Sequence, residues 1–177
     1  MSMVRRVYVE KKPGFAVQAE ELKHEIQSYL GLGGVTGVRV LRRYDVEGVD
    51  AAVYAAARTT VLSEPQVDAL WDEVMPAPEG EHTLLAVEAL PGQYDQRADS
   101  CAQCIQMMHG GERPTVRAAT VYVLEGALTA QEAAKARGSL INPVESREAA
   151  PDKPATLRQD YPVPAALPGL DGLPPLD

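Results

Sequence analysis

The chain has 177 residues, 45% hydrophobic and 24% charged, enough apolar content to build a core and too much for a disordered chain. Its 17 basic and 25 acidic residues leave a net charge of -8, which repels a phosphate backbone and argues against nucleic acid as a partner. Two cysteines cannot build a disulfide framework, the start MSMVRRVYVEKK lacks an apolar signal segment, and the longest apolar run, 51–57, falls far short of the roughly 20 residues that span a bilayer. The expectation is a cytoplasmic protein with no membrane contact.

Val7 and Val9 alternate with polar neighbours, the period of a strand. Pro13-Gly14 suits the centre of a type II turn, because proline fixes φ and glycine accepts a positive one. Ala19, Leu22, Ile26, Tyr29 and Leu30 share one helix face, with Gly31 and Gly33 as stops. Val38, Val40, Tyr44 and Val46 alternate along a long second strand; Asp50 can cap a second helix, Pro65 closes it, and a short segment follows over 67–71. Leu85 and Val87 then open the same order again. A helix over 96–108, a strand over 116–124 and a capping box at Thr129 and Glu132 complete it.

The order recurs because the sequence does. At an offset of 78, Val9-Glu10 matches Val87-Glu88, Pro13-Gly14 matches Pro91-Gly92, Val38-Arg39 matches Val116-Arg117 and Glu47-Gly48 matches Glu125-Gly126. The series continues without a gap to Pro65 and Pro143, about sixteen identities in about sixty positions. The reading is an α+β fold of two tandem strand-helix-strand-helix-strand repeats, over about 4–75 and 82–149, within a duplicated domain spanning 1–150. One copy alone leaves a sheet face or edge unsatisfied, so a pseudo-twofold pair with helices against an antiparallel or mixed sheet is expected. From 151 to 177 the chain holds seven of its fourteen prolines without helical or strand period, the composition of a linker or tail.

Catalytic chemistry is thinly represented. Cys101 and Cys104 fall inside a helix pattern beside Ala98, Ile105 and Met108, so they read as small buried hydrophobes before they read as a redox pair. A zinc site would need two more ligands, and His82 and His109 stand at no familiar spacing. Gly31 to Gly34 and Gly110-Gly111 follow helices and lack the Lys-Ser/Thr step of a phosphate loop. His24 lies on a polar helix face. The densest polar stretch, 93–100, begins a helix whose free backbone N–H groups can favour an anion or a partner. Asp95, Arg97, Asp99, Ser100 and Gln103 are therefore the interface candidates, with helix capping by Asp95 and surface ion pairs as the plainer alternative.

The segments that carry the repeat also resemble a known family. Val9 to Phe15 (VEKKPGF), Arg43 to Gly48 (RYDVEG), Leu90 to Ser100 (LPGQYDQRADS), Gly111 to Arg117 (GERPTVR) and Asn142 to Glu145 (NPVE) resemble the N-terminal region of the large, single-chain phosphoribosylformylglycinamidine synthase. The likeness covers nearly all of 4–150, and 90–106 is its most specific part. The resemblance implies a fused dimer of the family's small S subunit. This region would serve as a docking element between the synthetase and glutaminase parts of a ligase that converts formylglycinamide ribonucleotide, glutamine and ATP to the amidine in purine biosynthesis. ATP, magnesium and the glutaminase residues would then belong to parts beyond Asp177. No catalytic, cofactor-binding or metal-binding residue carries over to this chain, which should not turn over substrate alone. Two alternatives stay open: a free-standing small-molecule-binding regulatory module with a cleft between the repeats, and a thiol oxidoreductase using Cys101 and Cys104.

Overall fold

A computed structural model describes residues 3–157. Alternating apolar residues place strands β1 (Arg5–Lys11), β2 (Gly37–Glu47) and β3 (Asp68–Asp72) in the first repeat, and β4 (His82–Ala89), β5 (Thr115–Glu125) and β6 (Ser146–Glu148) in the second. Helices α1 (Val17–Ser28) and α2 (Ala51–Thr60) join the first three strands, α3 (Gln96–His109) and α4 (Ala130–Leu140) the second three. Three of the four helices begin on a side-chain cap. Asp50 accepts from the Val53 N–H at 2.8 Å and Asp95 from the Ala98 N–H at 3.1 Å, while Thr129 and Glu132 close a reciprocal box. Each such cap is worth about 1 kcal/mol. Gly110, at φ 72°, ends α3 in the left-handed conformation that a side chain disfavours.

The strands form one antiparallel sheet in the order β3-β1-β2-β5-β4-β6. The fold is α+β, and the two repeats join at its centre through β2 and β5. Every register in one half recurs in the other at the sequence offset: Val9 opposes Arg42 as Val87 opposes Thr120, and Val9 opposes Leu70 as Val87 opposes Glu148. The helices depart from that offset. Buried Ile26 and Ile105, buried Ala57 and Ala136, and the positive-φ glycines Gly31 and Gly110 are each 79 apart. One extra residue precedes each helix of the second repeat and one fewer follows it, correcting the gapless 78. Tyr29 is a second correction: it is the C-cap of α1 and is 82% exposed, while Ala19 and Ile26 of the same expected face are buried.

Both faces of the sheet carry buried apolar clusters. On one, Val7, Tyr44, Val46 and Val116 pack under α2 and α3, and Val38 and Leu124 pack with Ile26 of α1 and Ala136 of α4. On the other, Tyr8, Leu41, Ala119, Val121 and Val123 form a second cluster with Ala149. Residues 149–157 cross this second face as a strap. The Ala149 N–H donates to Ala86 at 2.8 Å, Arg43 and Arg6 donate to the carbonyls of Ala150 and Pro151 at 3.0 and 2.8 Å, and the Leu157 N–H donates to Glu47 at 2.8 Å. Thus 151–157, the start of the proline-rich segment, lie against the sheet; 158–177 fall outside the described residues. Among the described residues no helix is long and apolar enough to cross a membrane.

Candidate docking face

The axis relating the repeats passes between Arg42 and Thr120, which oppose each other in the β2–β5 ladder. Even-numbered residues of both strands face the helices, so Arg42 projects where its neighbours Val40 and Tyr44 build the floor of the helix layer. Its Nη1 donates to Thr120 Oγ1 at 2.6 Å and its Nη2 to Gln18 Oε1 of α1 at 3.3 Å. Burial, and secondarily the nearby Arg97 cation, hold its pKa below the ordinary arginine value. A groove of about 730 Å³ opens beside it, walled by the N-terminal turns of α3 and lined by Arg42, Tyr44, Thr120, Asp95, Arg97 and Ser100.

The five interface candidates divide here. Asp95 is at the groove, with one carboxylate oxygen occupied in capping α3. Arg97 is exposed and donates from Nη1 to the Tyr44 hydroxyl at 3.4 Å. Burial pushes the Tyr44 phenol up while Arg97 pulls it partly back. Ser100 lines the groove and is exposed. Asp99 is instead tied outside it, accepting from the Tyr94 hydroxyl at 2.9 Å and pairing with Arg113. Gln103, exposed further along α3, is not part of the groove wall. Neither Arg42 nor Arg97 forms a salt bridge among the described residues. The groove can therefore offer donors to an acceptor-rich surface.

Sequence reasoning missed Arg42, Thr120 and Gln18. A signal was present, since Arg42 interrupts the apolar series Val38, Val40, Tyr44, Val46 at a position facing the helices.

The cysteines separate as well. Cys101 is buried with Ala98, Ala102 and Ile105, and that burial pushes its thiol up to about 11. Cys104 is exposed, against the expectation of two buried thiols, because the apolar stripe of α3 runs through 98, 101, 102 and 105 and leaves 104 outside it. Met108 is likewise 40% exposed. His24 is exposed on α1. Among the described residues no group of three or more His, Cys, Asp or Glu side chains is placed to hold a metal ion. No protein family, curated protein or solved structure matches this chain.

Proposed function

We propose that this chain is a cytoplasmic docking domain of a phosphoribosylformylglycinamidine synthase, joining the synthetase and glutaminase parts of that ATP- and glutamine-dependent ligase, in cis or as separate chains. The observation that carries the reading is the central β2–β5 ladder. It joins two repeats of matching register into one sheet, as a fused pair of small subunits would be joined. A sheet with apolar clusters on both faces suits a coupling piece, because a sheltered junction keeps released ammonia from being protonated by solvent. The exposed turn of α3 bearing Arg97 and Ser100 is the face assigned to the synthetase part. Size-exclusion chromatography of this chain mixed with a chain carrying the synthetase and glutaminase parts tests the proposal. Co-elution is expected, and independent migration at micromolar concentration overturns it.

A second reading, a small-molecule-binding regulatory module, draws on the groove at the repeat axis, whose volume of about 730 Å³ falls in the range of ligand sites. A thermal-shift screen of this chain alone with nucleotides and amino acids separates the two, since a stabilising ligand favours the module.

A further inference from the structure

The second face of the sheet holds a cavity of about 300 Å³ between the strands and the strap. Arg6, Arg43, Arg117 and Arg147 line it, together with Asp45, Glu88, Glu148 and Asp152. Three of the four acidic residues are already paired with arginines. Asp45 is held by Arg6 in a two-pronged pair at 2.7 and 2.9 Å, and Glu148 pairs with Arg137 of α4 at 3.0 Å. A single oxygen of Glu88 serves both Arg117, at 3.3 Å, and Arg147, at 2.8 Å.

Arg43 is left with less. It is 6% exposed, forms no salt bridge among the described residues, and donates to the Ala150 carbonyl at 3.0 Å. A guanidinium carries five N–H donors, and burying one beside other cations is costly without a compensating anion. Burial and the adjacent Arg6 accordingly lower its pKa. Arg43, Arg117 and Arg147 thus share the cavity with two further carboxylates, Glu88, which already serves Arg117 and Arg147, and Asp152 of the strap, which forms no salt bridge among the described residues.

We propose that this cavity binds an oxyanion of the phosphate class, held by Arg43, Arg117 and Arg147 beneath residues 150–154. The planar fork of arginine matches phosphate oxygens in pairs, and an oxyanion supplies the charged acceptor that Arg43 lacks. The site lies across the sheet from the α3 groove, so the proposal stands or falls independently of the docking reading.

Isothermal titration of the 177-residue chain in low-ionic-strength chloride buffer, with inorganic phosphate, glycerol 3-phosphate and acetate, tests it. Saturable binding of at least one phosphate compound is expected, weakened about tenfold by Arg147→Gln, tightened by Asp152→Asn, and diminished by added salt. Arg147 is 44% exposed, so its replacement leaves the fold intact, and an unchanged thermal transition verifies this. Tighter binding of the ester assigns the site to a phosphorylated metabolite, and tighter binding of inorganic phosphate assigns it to the free ion. Absence of saturable heat from both compounds, equal affinity for acetate, or an unchanged constant in the folded Arg147→Gln variant overturns the proposal.

Discussion

Arg42 and Thr120 are counterparts of each other: they stand 78 positions apart, oppose one another across the β2–β5 ladder, and share a 2.6 Å hydrogen bond. A residue that pairs with its own repeat equivalent lies on the symmetry axis, so exchanging the two should be the mildest rearrangement the sheet allows. The helices break that equivalence. Because they are offset by 79, the counterpart of Gln18, which accepts from Arg42, is Arg97. The exchange Arg42→Thr with Thr120→Arg therefore points a new guanidinium at an existing one. We expect the exchanged protein to be less stable than the parent by about 1 kcal/mol or more, and addition of Arg97→Gln to recover most of the loss. Urea midpoints of the three proteins check this; an exchanged protein unaffected by Arg97→Gln refutes it.

The two repeats also meet at a backbone contact. Gly126, at φ 116°, follows β5, and a Cβ there would fall on the Gly34 carbonyl oxygen. The close approach is held by the Thr36 N–H donating to Glu125 at 2.8 Å and the Gly126 N–H donating to Glu81 at 2.8 Å. Gly126→Ala is therefore expected to cost about 2 kcal/mol or more, from positive-φ strain together with displaced backbone. The equivalent Gly48, at φ 96°, has only the Pro114 Cα at 3.6 Å, an ordinary contact, so Gly48→Ala should cost less. Thermal unfolding of both variants gives the order.

The strands and caps were legible because their signals are local. Alternation at Val38, Val40, Tyr44 and Val46 needs only a period of two, and Asp50, Asp95 and Thr129 need only a short polar side chain ahead of a helix. The repeat pointed to a pseudo-twofold pair, since a unit with an unsatisfied edge must pair with its copy, but not to β2 and β5 as the strands that join. The one-residue helix shift escaped because the matched pairs flanking α1 and α3 lie in turns and strands, where 78 holds. The strap escaped for another reason. Its anchors are the carbonyls of Ala150 and Pro151, and every residue has a carbonyl, so no residue type advertises them. At the candidate site, Asp95 was readable as a cap, whereas Arg42 has meaning only once the partner strand is in place.

Cys101 and Cys104 make a direct probe of α3. Cys104 is exposed and should react quickly with a disulfide reagent, while Cys101, buried and with its thiol pushed up to about 11, should stay silent until the protein opens. Cys104→Ser should remove the fast phase entirely. Burial raises the Cys101 thiol above its unfolded value, so the folded state holds the proton longer. Its contribution to stability is present below about pH 9 and is lost as pH rises toward about 11. Chemical unfolding across that window should show a decline that Cys101→Ala reduces. Two equally fast thiols in the native protein would refute the assignment.

Arg6 joins the sheet to the strap. It is paired with Asp45 where the side chains are 3% and 7% exposed, and its remaining Nη1 donates to the Pro151 carbonyl. Removing one partner of such a pair strands the other without water, so Asp45→Asn and Arg6→Met should each cost about 3 kcal/mol. The double variant Arg6→Met with Asp45→Asn should cost less than the sum of the singles, because neither charge is then left alone. The strap distinguishes the two singles further. Arg6→Met deletes the Pro151 anchor while Asp45→Asn keeps it, so at matched global stability amide exchange at Leu157, whose N–H is bound to Glu47, should accelerate more in Arg6→Met. Equal acceleration in both variants would mean that the strap follows the stability of the sheet as a whole and is not held by Arg6.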